Sequence, residues 1–178
     1  RRSPTIVLDA AHNPHGARAA AEALEEAFGL DPLVVVFAVM RDKDADEMLR
    51  IWDERAAEVV VTRVAGTDRG LPVDELAEQA EGIFGAARVH RAERLDDAIE
   101  LATARAEQIA GSGGQPGVLI TGSVIAVGQA RTLLVGDDPA PADASIGLEV
   151  GAPHDPDAAF DEALRRAFED AEQNGTGR

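Results

Sequence analysis

The stretch Asp9–His15 concentrates residue types that can do chemistry: an acid, two histidines and an asparagine. Asp9 ends a short apolar run, and the small alanines after it let a ligand approach the backbone closely. A carboxylate at this place can accept hydrogen bonds from ribose hydroxyls, and His12 can donate to a phosphate or carboxylate oxygen. The plainer interpretation is that Asp9 and Asn13 only cap the helix that follows.

Two more turns with polar side chains follow apolar runs. Arg41, Asp42 and Lys43 come after the run 33–37. They can place a cation beside a phosphate, although a solvated turn with an aspartate cap explains the same residues. Ser123 follows the run 117–121 and precedes an apolar helix. Its hydroxyl and the free N–H groups of that helix can cradle an anion, or Ser123 can be a simple N-cap.

Several common kinds of catalytic site are absent from the sequence. It has no cysteine, and His12 and His15 lack an evident third ligand, so we predict no metal site. Ser123 lacks the G-x-S-x-G surroundings of a hydrolase nucleophile. There is no G-x-x-x-x-G-K-[ST] loop, and no G-x-G-x-x-G follows a strand. A nucleotide bound here must therefore obtain its main phosphate and Mg²⁺ contacts from elsewhere.

The elements that must position these residues alternate along the chain. Continuous apolar runs, typical of strands covered on both faces, occur at residues 5–8, 33–37, 59–62, 87–90 and 117–121. Helical spacing of apolar residues occurs between and after them, at residues 16–28, 44–56, 72–84, 95–109 and 124–135. This alternation predicts an α/β fold with a doubly wound, mostly parallel sheet flanked by helices. In such folds ligands bind at the carboxyl ends of the strands, where all three polar turns lie.

Composition limits the classes of function. The 178 residues include 17 Lys and Arg against 33 Asp and Glu, which gives a net charge of −16. That charge argues against binding to nucleic acid or to an anionic membrane surface. No apolar run is long enough to span a bilayer, and no signal segment is visible. We therefore predict a cytoplasmic protein, and we expect it to be a monomer.

The chain changes character after residue 136. Residues 137–154 are rich in Pro, Gly and Asp, and a helical pattern follows Asp155. From residue 137 onward there are eleven acids and three arginines. We therefore predict an α/β domain over residues 1–136 and an acidic linker with a C-terminal helical extension over residues 137–178. The sequence enters its first strand almost at once and without Met, as expected of a fragment.

Three motifs in order along the chain resemble one family. Leu8–His15 resembles the D-x-A-H-N-P signature of the folylpolyglutamate synthase and dihydrofolate synthase family, folate–glutamate ligases related to the Mur peptidoglycan ligases. Residues 37–44 are similar to its F-G-x-M-x-D-K-D loop, and residues 121–131 to its T-G-S-x-x-x-V-G-x-x-R stretch. The resemblance covers residues 1–136 and implies the Rossmann-like C-terminal domain of that family.

The resemblance implies a ligase activity that requires a further domain besides the one in this chain. Ligases of the family use ATP to phosphorylate the carboxylate of dihydropteroate or of a folate. The amine of L-glutamate then attacks the acyl phosphate, which yields ADP, phosphate and an amide. An N-terminal domain holds the P-loop, the Mg²⁺ ligands and most of the folate site. The resemblance thus implies ATP and Mg²⁺ as cofactors and that N-terminal domain as partner, and we expect this chain alone to be inactive.

The matching motif positions imply roles for single residues. Asp9 would contact the ATP ribose, and Asn13 would belong to the same nucleotide-binding turn. His12 and Ser123 would be catalytic residues that face the incoming glutamate and the acyl phosphate. The segment Arg41–Lys43 would line the cleft between the two domains and contribute to binding of the nucleotide. The family also contacts ATP through an arginine on the strand upstream of the D-x-A-H-N-P strand, and that position would fall before Arg1.

Two other functions stay open from the sequence. A Mur-type ligase that adds amino acids to a cell-wall precursor carries the same kind of domain, but the run His12–Pro14 favours the folate side. The other possibility is a freestanding α/β module that binds a small anion or a protein partner without chemistry. A G-K-[ST] loop upstream would favour a ligase, and a start codon a few residues upstream would favour the module. The chain does not distinguish addition of the first glutamate from extension of a polyglutamate tail.

Overall fold

A five-stranded parallel sheet organises the residues that the computed structural model describes, which are 4–110 and 114–135. Its strands are Thr5–Leu8 (β1), Leu33–Phe37 (β2), Glu58–Val61 (β3), Val89–Arg91 (β4) and Gly117–Thr121 (β5). Their order across the sheet is β1-β5-β2-β3-β4, and all four neighbouring pairs are parallel. The carboxyl ends of the strands therefore lie along one edge.

Helices cover both faces of this sheet. They are Pro14–Phe28 (α1), Ala45–Asp53 (α2), Val73–Phe84 (α3), Leu95–Ala110 (α4) and Val124–Val135 (α5). Helices α1, α2 and α3 pack on the face that holds Val35 and Leu119, whereas α4 and α5 pack on the face that holds Val34 and Val118. Alternate residues of a strand point to opposite faces of the sheet. Because helices cover both faces, successive strand residues face helices on either side, which explains the continuous apolar runs in the sequence. The predicted doubly wound α/β fold is confirmed.

The predicted strand over residues 87–90 is wrong in its first half. Ala86–Arg88 form a short 3₁₀ turn, and β4 begins only at Val89. The Arg88 guanidinium donates to the backbone carbonyls of residues 56 and 57 at 2.5 and 2.8 Å and lies 2.8 Å from the carboxylate of Asp53. These bonds hold the turn against the end of α2, so tertiary contacts override a weak local strand pattern.

Other element boundaries differ from the predictions by a few residues. Helix α1 starts at Pro14 instead of residue 16, and Pro72 is the N-cap of α3 instead of a residue of its first turn. Helix α2 ends at Asp53, and the strand predicted over 59–62 is β3, which starts at Glu58. The predicted domain boundary near residue 136 and the helix after Asp155 lie outside the described residues. None of the described helices has the length and apolar character needed to cross a membrane.

A buried carboxylate fastens α4 to the sheet. Glu58 on β3 is only 7% exposed. Both of its oxygens accept hydrogen bonds from Arg105 on α4, and its Oε2 lies 2.8 Å from Nε2 of His90 on β4. The bond from Arg105, with a smaller contribution from His90, holds the pKa of Glu58 below its ordinary value although burial acts in the opposite direction. The ionised form is therefore the one that the fold stabilises.

We expect Glu58→Gln to destabilise the protein by about 1–3 kcal/mol at pH 7, because Arg105 loses a charged partner in a poorly solvated place. A lowered pKa in the folded state means that the stabilisation is present above the unfolded-state pKa and is lost as the pH falls through the folded-state pKa. The difference between variant and parent should therefore shrink below a pH of about 4. Urea unfolding at pH 7, 5 and 3 measures it. Glu100→Gln, an exposed change on α4, the helix that carries Arg105, is the control, and an equal deficit of Glu58→Gln at all three pH values would contradict the assignment.

Candidate functional site

The turn after β1 is held in shape by its own polar groups. Oδ1 of Asp9 accepts a hydrogen bond from the backbone N–H of Ala11 at 2.8 Å, and the N–H of Asp9 donates to Ile120 O at 3.1 Å. The His12 ring is exposed, with Nδ1 lying 3.1 Å from Ala10 O. Asp9 is thus half-buried at the root of the turn, and His12 projects from its tip.

The predicted cap of α1 is confirmed for Asn13. Its Oδ1 accepts from Gly16 N at 2.8 Å, and its backbone is extended while Pro14 occupies the first helical position. A proline there is favourable because the first N–H of a helix has no intrahelical partner. His15 lies in the first turn of α1 and is exposed. The Asn13 oxygen is thus engaged in the cap, and its amide N–H₂ is the group left for a ligand.

The turn after β5 is joined directly to the turn after β1. Gly122 N donates to Ala11 O at 3.1 Å, and the Thr121 hydroxyl approaches the same oxygen at 3.4 Å. Ser123, the next residue, is 3% exposed and immediately precedes α5. The sheet order puts β1 beside β5, so these bonds cross-link neighbouring strand ends. Asp9, His12 and Ser123 are therefore on adjoining turns at one edge, as predicted.

Gly122 also allows the turn after β2 to come close. Its φ is +100°, a conformation that favours glycine. A Cβ at this position would lie 2.5 Å from Ala38 O and 2.8 Å from the Phe37 ring. The backbone of residue 38 in turn donates to Thr121 O at 3.3 Å. Three turns thus converge on Gly122, and only glycine fits among them.

The segment with Arg41 and Lys43 contacts the loop that follows β3, the strand next to β2 in the sheet. Its backbone is tied to the loop between β3 and α3, where Arg41 N donates to Arg69 O at 2.9 Å. The Arg41 guanidinium lies 3.2 Å from Glu75 on α3, and Lys43 Nζ lies 3.2 Å from Asp42. The hydrogen bond from Lys43 lowers the pKa of the exposed Asp42 carboxyl. Both cations are therefore at the same sheet edge, but each has an acidic neighbour.

The aspartate that caps α2 is Asp44. Oδ1 of Asp44 accepts from Glu47 N at 3.0 Å. Two acids in the first turn of α2 add a favourable interaction with the helix dipole. The predicted helix cap is therefore confirmed for Asp44.

A model of the family "Mur ligase, glutamate ligase domain" matches residues 1–124. The chain belongs to this Mur ligase family. Within the matched range lie the turns after β1 and β5 that the hydrogen bonds of Ala11 join. The motif resemblance and the expected fold of this domain are both confirmed.

The curated relatives of this Mur ligase domain are folate enzymes. It is 43% identical over 146 residues to the dihydrofolate synthase/folylpolyglutamate synthase of Mycobacterium tuberculosis, covering 78% of this chain and 30% of that protein. It is 31% identical to the folylpolyglutamate synthase of Lacticaseibacillus casei, covering 75% of this chain and 28% of that protein. The chain therefore spans less than a third of the length of these relatives.

Solved structures agree with the sequence relatives. The folylpolyglutamate synthase of Mycobacterium tuberculosis complexed with ADP superposes with a TM-score of 0.72 at 44% identity, over 79% of this chain and 32% of that one. The folylpolyglutamate synthase of Thermotoga maritima gives a TM-score of 0.61 at 29% identity, over 75% of this chain and 28% of that one. The described residues therefore have the architecture of one domain of these larger proteins.

Sequence reasoning overlooked two charged residues at the same edge of the Mur ligase domain. Arg63 follows β3 and Glu93 follows β4, and both line clefts of about 400 and 260 Å³. Their positions just beyond strand ends were the available signal, but neither is part of a familiar motif. Across residues 4–110 and 114–135 no group of three or more His, Cys, Asp or Glu side chains is placed to hold a metal ion.

Proposed function

We propose that this domain completes the active site of an ATP-dependent ligase that joins L-glutamate to the carboxylate of a folate or of dihydropteroate. The observation that carries the proposal is the cross-link through Ala11 O, which unites the Asp9–Asn13 turn with the turn of Ser123. It is supported by relatives named as dihydrofolate and folylpolyglutamate synthases and by one solved in complex with ADP. In this proposal ATP converts the carboxylate into an acyl phosphate, whose phosphate is a good leaving group.

His12 is suited to accept the proton that the ammonium group of the incoming glutamate must lose. A backbone carbonyl only accepts hydrogen bonds, so the contact with Ala10 O assigns the ring proton of a neutral His12 to Nδ1. Its Nε2 then carries a lone pair and can accept a proton from the ammonium group of glutamate. Deprotonation gives the amine the lone pair with which it attacks the acyl phosphate. We therefore assign His12 the role of general base at the amine.

Ser123 is suited to hold an anion. Its residue lies at the start of α5, whose first N–H groups lack intrahelical partners. A hydroxyl beside those groups can donate to a carboxylate of glutamate or to an oxygen of the transferring phosphoryl group. The converging turns around Gly122 keep this start of α5 beside the turn that carries His12. We therefore place the glutamate between Ser123 and His12.

Asp9 is suited to bind the ribose of ATP. Its Oδ1 is occupied by Ala11 N, which fixes the carboxylate and leaves Oδ2 as acceptor for a ribose hydroxyl. We expect Asp9→Asn in the full-length protein to raise the KM for ATP about tenfold, because the single amide oxygen stays on Ala11 N and an N–H₂ donor takes the place of Oδ2 as acceptor. The KM for glutamate should change less than twofold. Steady-state kinetics with each substrate varied in turn measures both, and an unchanged KM for ATP would remove Asp9 from the nucleotide site.

The remaining parts of the machinery belong to the rest of the protein. We propose that an N-terminal P-loop domain supplies the phosphate and Mg²⁺ contacts, since the described residues offer no cluster of metal ligands. Asn13 contributes its amide N–H₂ beside the ribose, and Arg41 and Lys43 face the interdomain cleft. We further propose that the protein is a cytoplasmic monomer and that this domain alone does not turn over.

The full-length protein tests the whole proposal. It should form an amide and release ADP only when ATP, Mg²⁺, L-glutamate and a pterin carboxylate are all present. Dihydropteroate and tetrahydrofolate are assayed separately, because product from the first defines dihydrofolate synthesis and product from the second defines tail extension. A correctly folded full-length protein that forms no amide with either acceptor would refute the proposed activity.

A further inference from the structure

Two adjoining clefts lie beyond the ends of β3 and β4, and the proposed ligase chemistry uses Arg41 of the smaller cleft but no residue that lines the larger. The larger has a volume of about 400 Å³ and the smaller about 260 Å³. Arg63 and Glu93 line both. None of Asp9, His12 and Ser123 lines either cleft. The larger volume falls in the range of small-molecule binding sites.

Arg63 presents an unpaired cation to these clefts. Its Nε donates to the backbone carbonyl of Glu93 at 3.2 Å, which fixes the guanidinium and leaves Nη1 and Nη2 for another partner. Arg41 and Arg69, near the same edge, each lie within 4 Å of a carboxylate. Among the described residues Arg63 has no such ion pair.

Glu93 presents an unpaired anion beside it. Its backbone holds Arg63, but in the described part of the chain its carboxylate pairs with no Lys, Arg or His. The next two charged groups of the larger cleft neutralise each other, because Arg94 Nε donates to Asp96 Oδ1 at 2.9 Å. The wall of the cleft therefore carries one positive and one negative side chain, Arg63 and Glu93, that are in no ion pair among the described residues. A simple anion would be repelled by Glu93, and a simple cation by Arg63.

Leu95 and Leu133 give the larger cleft an apolar wall beside the polar side chains of Gln129 and Thr132. Leu95 is 6% exposed, and Leu133 on α5 is 54% exposed beside it. Gln129 of α5 donates through Nε2 to Ala65 O at 3.0 Å, which holds the loop after β3 against α5. An apolar wall next to one cation and one anion matches a molecule that carries an apolar group, a negative charge and a positive charge.

We propose that this cleft binds a free α-amino acid with an apolar side chain. The carboxylate of the ligand accepts hydrogen bonds from Arg63, its ammonium group donates to Glu93, and its side chain contacts Leu95 and Leu133. Glutamate is a poorer ligand, because its second carboxylate meets Glu93 and Asp96 without a free cation. The site is separate from the proposed glutamate subsite at Ser123, and this inference does not depend on the ligase activity.

Titration of the full-length protein with L-leucine, without ATP or folate, tests the inference by calorimetry and saturation-transfer NMR. We expect a dissociation constant on the order of 1 mM. N-acetyl-L-leucine lacks the ammonium group and L-leucinamide lacks the carboxylate, so each should bind at least tenfold more weakly. These comparisons use the unaltered protein, so they hold even if a variant folds poorly. No leucine binding, or equal binding of a blocked analogue, would overturn the proposal.

Charge-neutral variants locate the site. Arg63→Gln and Glu93→Gln should each weaken leucine binding at least tenfold. Arg131→Gln and Glu78→Gln change exposed residues that do not line the clefts and should leave it unchanged within twofold. His12→Ala should also leave leucine binding unchanged, which separates this site from the proposed ligase chemistry. If Arg63→Gln and Glu93→Gln, with unaltered Tm, bind leucine like the parent, the assignment is wrong.

Discussion

Replacing His12 by alanine in the full-length protein should lower kcat/KM for L-glutamate by about 100-fold or more. The loss reflects the role of Nε2 as acceptor of the amine proton, a kind of catalysis that contributes about 10²–10⁴-fold in enzymes. The stability should hardly change, because the His12 ring is exposed and its contact with Ala10 O is a single hydrogen bond worth about 1 kcal/mol. Initial rates of ADP release at varied glutamate concentration give the measurement.

His15→Ala is the matched control for that experiment. His15 is also an exposed histidine, three residues further on in the first turn of α1. We expect its kcat/KM for glutamate to stay within about twofold of the parent, since it lies outside the turn that meets Ser123. Equal kcat/KM values in the His12 and His15 variants would remove His12 from the chemistry. A fall in the Tm of the His12 variant large enough to unfold it at the assay temperature would also contradict a direct role, because loss of folded protein would then explain the lower rate.

The position of the candidate site residues at the strand ends could be predicted because the apolar runs in the sequence indicate a parallel sheet. Continuous apolar runs predict strands buried on both faces, and parallel strands share one carboxyl edge. Asp9 and Ser123 therefore had to reach the same edge although more than a hundred residues separate them. The cap of α1 at Asn13 was equally local, since it depends on residues within one turn.

What the sequence could not reveal depends on contacts between distant residues. The bonds of Arg88 to the end of α2 span more than thirty positions and convert a predicted strand start into a 3₁₀ turn. The pairing of Glu58 with Arg105 spans 47 positions and involves residues that look like ordinary surface charges. Arg63 and Glu93 likewise meet only because β3 and β4 are neighbours. Side-chain partners across a sheet follow from its strand order, which local periodicity leaves open.

Gly122 is the position at which substitution should damage the fold and the site together. An alanine there would have to adopt φ of +100° with its Cβ 2.5 Å from Ala38 O. The conformation costs on the order of 1–3 kcal/mol, and a backbone oxygen so close adds to it because it cannot rotate away. We expect Gly122→Ala to lower Tm by about 10 °C or more, and to abolish amide formation because Ser123 and the turn of Ala11 move apart.

Gly128→Ala is the control that separates this strain from the general effect of replacing glycine. Gly128 lies within α5, and a Cβ added there meets nothing within 4 Å. Alanine favours helix over glycine by about 1 kcal/mol, so this variant should be as stable as the parent or slightly more so. Thermal unfolding followed by circular dichroism compares the two. A Gly122→Ala protein whose Tm lies within 2 °C of the Gly128→Ala protein would mean that the three turns do not converge as tightly as the contacts of Gly122 require.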